Sequence, residues 1–168
     1  MLLEESGIQV RQIMEPKVEI QNQDLSKIAN FAAKEVAGNA SRPILVEDSG
    51  LFIKVLKGFP GPYSSYVRKT IGLEGILQLV NVTDKRQAYF QSTVAARLPN
   101  QMSGTFSARV YGTISHRAVG SHGFGFDPIF VPRGSRRTFG QMTLSEKNRY
   151  SHRGLAFRKF AAWFLDRA

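Results

Sequence analysis

The chain has 168 residues, 42% of them hydrophobic, no cysteine and a formal net charge of +10. That length suits one domain with a real core, the missing cysteine excludes disulfides, thiol catalysis and Cys-based zinc, and no apolar stretch approaches the roughly 18 residues of a membrane helix. The charge is uneven: residues 1–50 carry five Lys/Arg against eight Asp/Glu, and residues 101–168 carry eleven against three. A basic C-terminal part attracts phosphate, on a nucleotide or on nucleic acid, whereas an acidic N-terminal part suits a divalent cation. No positive stretch leads into an apolar one at the N-terminus, so no signal peptide is expected and the expected setting is cytoplasmic.

In chain order, Ile8-Gln9-Val10-Arg11-Gln12-Ile13 can serve as a strand, although its pattern is mixed. Leu25, Ile28, Ala29, Ala32, Ala33 and Val36 recur at helical spacing, and Gly38 ends the run. Pro43-Ile44-Leu45-Val46 reads as a short buried strand that ends in Glu47-Asp48-Ser49-Gly50; in open α/β sheets such ends receive ligands. Leu73, Ile76, Leu77 and Val80 mark a second helix. Ala88–Ala96 and Thr105–Tyr111 read as strands joined by a turn near Pro99-Asn100-Gln101. Thr143-Leu144-Ser145-Glu146 has the spacing of a capping box. Phe157, Phe160, Ala161, Phe164 and Leu165 give a last helix its apolar stripe. The whole is α/β, with helices at both ends of the chain and strands between.

Three stretches can carry chemistry. Glu47 and Asp48 alternate in direction along a strand, so one of them faces a site, and Ser49-Gly50 permits a tight turn; a solvated strand end is the plain alternative. Glu19 could join Asp48 as an oxygen ligand of Mg²⁺, which takes one or two carboxylates plus substrate phosphates. In Gly123-Phe124-Gly125-Phe126-Asp127-Pro128, the flanking glycines leave the Phe124 ring open to stack on a base, or else the loop tucks both rings into the core. This Gly-x-Gly lacks the third glycine and the helix of a dinucleotide fingerprint. Lys147 lies just inside the last-but-one helix, near a positive helix end suited to phosphate. Ser151-His152-Arg153-Gly154 then breaks the helical pattern, and His152 and Arg153 can donate to a carbonyl oxygen. His116 and His122 have no ligand spacing, and no nucleophile elbow is present.

Taken together, these stretches resemble the inosine triphosphate pyrophosphatase family. The matching text is Glu47-Asp48-Ser49-Gly50-Leu51, Lys57-Gly58-Phe59-Pro60-Gly61-Pro62-Tyr63-Ser64, Gly123 through Phe130, Thr138-Phe139 through Met142, and Ser145-Glu146-Lys147-Asn148 through Gly154. The resemblance implies an elongated α/β fold with a mixed sheet flanked by helices, two lobes around a central cleft, a homodimer and dependence on Mg²⁺. It implies hydrolysis of ITP, dITP and XTP to the monophosphate and pyrophosphate. By position, Asp48 becomes the acid that positions metal and activates water, Glu19 the second metal carboxylate, and Lys147 the phosphate ligand. Asn30 and Lys34 support that region along with Ser49 and Gly50, Phe124 stacks on the purine, and Asp127, His152 and Arg153 line the base pocket.

The family also opens with a strand and a Thr/Ser-Gly/Ser-Asn-x-x-Lys loop. This sequence opens at Met1-Leu2-Leu3-Glu4-Glu5-Ser6-Gly7, which resembles the end of the helix after that loop. The expectation is therefore an N-terminally incomplete enzyme with impaired turnover. Pyrophosphatases of modified pyrimidine nucleotides are a neighbouring reading, and a catalytically silent nucleotide- or RNA-binding protein is the rival from another class. No membrane partner and no specific nucleic acid are expected.

Overall fold

The computed structural model describes residues 2–14, 18–38 and 40–167. Three long strands form the middle of the sheet: β1 (Ile44–Ile53), β3 (Gln87–Arg97) and β4 (Ser103–Ile114). The short β2 (Pro60–Gly61) and β5 (Phe130–Pro132) complete the order β2-β1-β3-β4-β5. Side chains alternate across a strand, so the register decides which residues share a face. Asp48 stands opposite Thr93, and Thr93 opposite Ser107; Glu47 stands opposite Val94, and Val94 opposite Phe106. These two rows lie on opposite faces of one sheet.

Helix α1 (Leu25–Ala37) covers the first face. Ala29, Ala32 and Ala33 are fully buried against Ile44, Val46 and Ala95, and their small side chains let the helix sit close to the strands. Asp24 caps it by accepting the Ser26 N–H at 2.8 Å, a contact worth about 1 kcal/mol. On the other face α5 (His152–Leu165) lays Ala156, Phe160 and Ala161 over Val94, Ala96 and Ala108. Farther along that face, α2 (Ser64–Thr70), α3 (Gly72–Val80) and the loops after β4 close a second core around Leu51, Ile53, Ile76, Phe90, Phe126, Phe130 and Phe139. The short α4 (Leu144–Tyr150) leads into α5, with Ser151 both ending the one and capping the other.

The predicted strand pair β3–β4, its turn, the helix through Val80 and the α1 stripe are all present. Other expectations change. Ile8–Ile13 forms no strand: its apolar residues offer no continuous face, and Ile8 instead packs into the α5 cluster. β1 does not stop at the acids but runs on to Ile53, so Glu47 and Asp48 sit in mid-strand. Every recorded pairing is antiparallel, where a mixed sheet was expected. The capping box at Thr143 is half made: Thr143 Oγ1 accepts the Glu146 N–H, but the Glu146 carboxylate pairs with Arg137. The reciprocal box forms instead at Thr138–Gln141. Leu165 is exposed because α5 ends there. Among the described residues no helix is long and apolar enough to cross a membrane.

β1 is held at one end and open at the other. β2 pairs with it at Leu51 and Phe52 alone, so from Leu45 to Ser49 its outer edge has no ladder partner among the described residues. At the closed end a Cβ on Gly50 would come within 2.2 Å of the Gly61 carbonyl oxygen, which is why the approach requires glycine. The Ser64 hydroxyl finishes this corner, donating to Gly61 O and accepting the Leu51 N–H.

Candidate functional site

The loop after β4 turns at Gly123, whose φ is +78° and where a Cβ would lie 2.1 Å from Asp127 Oδ2. That oxygen accepts the Phe124 N–H at 2.8 Å and the Lys147 ammonium at 2.5 Å. The two side chains of the pair are 2% and 5% exposed. The loop sends Phe126 into the core and leaves Phe124 53% exposed, so each of the two sequence readings holds for one ring. Lys147 Nζ lies 4.4 Å from the centre of the Phe124 ring and Arg153 Cζ 4.6 Å. Burial lowers the Lys147 pKa, the Asp127 charge and hydrogen bond oppose that, and Arg153 adds to the lowering. The sequence resemblance assigns Lys147 to a phosphate; in the structure its ammonium is engaged by Asp127, against the Phe124 and Phe139 rings.

His152 and Arg153 open helix α5, which Ser151 caps by accepting the Gly154 N–H. The His152 ring is buried and stacks on Phe90 at 4.6 Å and 8°. Its pKa falls well below 6.5, through burial first and then the charges of Arg153 and Lys147. It is therefore neutral at pH 7. Arg153 Nη2 donates to Glu47 Oε2 at 2.8 Å and reaches Ser49 Oγ at 3.4 Å. The second Glu47 oxygen accepts the Ser92 hydroxyl at 2.7 Å. Buried polar atoms are normally paired. Among the described residues three buried side-chain atoms are not, and His152 Nδ1 and Arg153 Nε are two of them.

Asp48 is on the other side of the sheet. It shares the α1 face with Thr93 and Ser107, whose hydroxyls are 2.7 Å apart, and Ser26 Oγ stands 3.5 Å from Ser107 Oγ. Asp48 Oδ1 accepts the Ser49 N–H at 3.0 Å. Ser49 thus joins the two faces at the open edge, its hydroxyl beside Arg153 and its N–H on Asp48. A hollow of about 680 Å³ opens on this face, lined in part by Asp24, Ser26, Gln91, Ser107, Arg109 and Lys159. Glu19 stands exposed in the irregular segment leading into α1. Asn30 docks α1, donating to Ser26 O and Thr105 Oγ1 at 2.8 Å each. Lys34 is elsewhere, beside Arg42 and Arg97 in a separate hollow of about 450 Å³. Among the described residues no three acids or histidines cluster as a ready-made metal cage.

The structure therefore brings Phe124, Asp127, Lys147, His152, Arg153 and Ser49 together, puts Asp48 and Asn30 across the sheet, and separates Lys34 from both. It adds Glu47, which alternation alone could not assign to a face. It also adds Arg68 on α2, whose Nε donates to the Gly125 carbonyl at 2.9 Å. Nothing in the sequence signals that contact, which spans 57 residues.

A family model described as the Ham1 family matches residues 1–163. The dITP/XTP pyrophosphatase of Pyrococcus horikoshii is 46% identical over 157 residues, covering 94% of this chain and 84% of that protein. The dITP/XTP pyrophosphatase of Thermococcus kodakarensis is 48% identical over 160 residues, covering 95% and 86%. Among solved structures, the Staphylococcus aureus Ham1 protein superposes with a TM-score of 0.84 at 25% identity, covering 92% of this chain and 83% of that one. A HAM1 protein from Coxiella burnetii gives 0.82 at 27%, covering 90% and 81%.

Proposed function

The chain belongs to the Ham1 family, and we propose that it hydrolyses deaminated purine nucleoside triphosphates such as dITP, ITP and XTP to the monophosphate and pyrophosphate. The observation that carries this reading is the pairing of an exposed aromatic face, Phe124, with two buried side-chain nitrogens, His152 Nδ1 and Arg153 Nε, that have no partner among the described residues. A flat base stacks on the ring for about 1–3 kcal/mol. A 6-oxo group accepts hydrogen bonds from the donors at the helix start, whereas adenine's amino group leaves a donor unpaired at about 1–3 kcal/mol each. Relatives named dITP/XTP pyrophosphatases support the same substrate class.

We propose a path for the substrate on the same basis. With the base on the α5 face and Asp48 on the α1 face, the phosphates run from one to the other beside Ser49, whose hydroxyl reaches Arg153 and whose N–H donates to Asp48. There Asp48 orients the attacking water toward the α-phosphorus and receives its proton, and pyrophosphate departs. Asp48 and Glu19 are hard oxygen donors and fit Mg²⁺, which needs few protein carboxylates when phosphates complete its shell. When bound there it would supply Lewis-acid polarisation and neutralise developing charge. Lys147 holds the base wall through Asp127 and Phe124. We further propose a homodimer acting in the cytoplasm, where the nucleotide pool is, with no sequence-specific nucleic-acid partner.

The test is release of pyrophosphate from dITP, XTP and dATP, with Mg²⁺ and with EDTA, by the wild type and Asp48→Asn. Asp48→Asn should lose at least about a hundredfold in kcat while its thermal midpoint stays within a few degrees. Release of orthophosphate, equal rates on dATP, or wild-type turnover by Asp48→Asn would refute the reading.

A further inference from the structure

We propose that Arg68 is a positioning residue for base recognition, acting through the Gly125 carbonyl on the Phe124 ring. The inference rests on the function proposed above. Phe124 lies between two glycines with positive φ, +78° at Gly123 and +61° at Gly125, so the backbone on either side is the most permissive a chain can have. The peptides immediately before and after Phe124 are both tied to Asp127. The Phe124 N–H donates to Asp127 Oδ2, and the Phe124 carbonyl accepts the Asp127 N–H at 3.2 Å. Gly125 has no such tie within the loop, and a Cβ placed on it would meet nothing within 4 Å.

The Arg68 Nε–H supplies the missing restraint at 2.9 Å. Arg68 is itself fixed on α2, which is anchored by buried Val67 in the second core. Its guanidinium has no ion-pair partner among the described residues, so its one hydrogen bond goes to the recognition loop. A charge-assisted bond to a carbonyl is stronger than a neutral one. Its consequence here is orientation: it fixes the Gly125–Phe126 peptide, the first one beyond the ties to Asp127, and with it the loop that holds the ring over Lys147 and Arg153. The stacking surface is thereby set before the base arrives, and less ordering remains to be done on binding.

The experiment is a double-mutant cycle on dITP hydrolysis with wild type, Arg68→Met, Phe124→Ala and the double variant, together with Arg68→Lys and a base-free substrate, ribose 5′-triphosphate. Arg68→Met should raise KM for dITP about tenfold with kcat nearly unchanged, since stacking contributes on the order of 1–3 kcal/mol. The double variant should be no worse than Phe124→Ala alone, because the restraint acts only through that ring. Arg68→Lys, which keeps a cationic donor, should recover most of the loss. On ribose 5′-triphosphate, Arg68→Met and wild type should be equal. Additive losses in the cycle, a fall in kcat, or an equal loss on the base-free substrate would overturn the role of Arg68. If Phe124→Ala itself has no effect on dITP, the stacking reading fails, and the role of Arg68 with it.

Discussion

Asp127→Asn is the substitution with the most to say about the site, because it removes one charge and almost no volume. The amide oxygen can still accept the Phe124 N–H, so the loop keeps its turn. What changes is Lys147, whose 5%-exposed side chain loses its counter-ion. Removing one member of a buried pair costs about 3–5 kcal/mol. A second estimate sets a ceiling. Lys147 can escape by releasing its proton, and from its ordinary value of 10.5 down to pH 7 that costs about 5 kcal/mol at ~1.4 kcal/mol per unit. The two figures agree, and the second carries a pH signature. Once Lys147 is neutral in the folded variant, the unfolded chain binds one more proton than the folded one. The variant's stability then rises with pH by up to about 1.4 kcal/mol per unit, and its deficit against wild type shrinks between pH 7 and 9. Urea unfolding of both proteins at pH 7, 8 and 9 measures this. A deficit below about 1 kcal/mol that does not change with pH would refute the description of Asp127 and Lys147 as a dry, mutually dependent pair.

Recognition and acid stability make two further predictions. Phe124→Ala should weaken dITP, XTP and dATP alike, by about 1–3 kcal/mol, whereas Arg153→Ala should erode the preference for dITP over dATP; steady-state kinetics on the three substrates would show a common loss with no change in that ratio if the division is wrong. His152 remains neutral in the folded protein below the pH of 6.5 at which it takes up a proton when unfolded. Stability should therefore fall as pH drops below 6.5 and be flat in this respect above it, with a slope up to about 1.4 kcal/mol per unit. His152→Phe keeps the stack on Phe90 and should flatten that slope in thermal unfolding at pH 5, 6, 7 and 8; an unchanged slope would show that His152 is not the group responsible.

Periodicity made the large elements legible. The α1 stripe and the helix through Val80 follow from spacing, because each buries one face against the same sheet, and the β3–β4 hairpin follows from two strand-forming runs flanking a turn. What spacing could not give was the destination of single side chains. Glu47 and Asp48 are adjacent acids, and alternation sends them to opposite faces, but only the register with β3 shows which one meets Arg153. Ile8–Ile13 misled because strand formation needs a partner edge, which local sequence does not reveal. The capping box at Thr143 is only half made because Glu146 finds Arg137, a tertiary contact that overrides a local pattern. Arg68 was invisible for a related reason: its partner is a backbone carbonyl, and carbonyls carry no residue signature.

Consider the strand that carries both acids as a shaft with two cams. A shift of β1 by one residue against β3 would exchange the faces of Glu47 and Asp48, placing Asp48, the proposed acid of hydrolysis, under Arg153 and the anchor of Arg153 among the hydroxyls of the α1 face. Both activities would fail together, although every residue would still be present. The corner formed by Gly50, Gly61 and Ser64 is what prevents that slip. Insertions and deletions within β1 are thus constrained by parity: only changes of two residues preserve the assignment of faces.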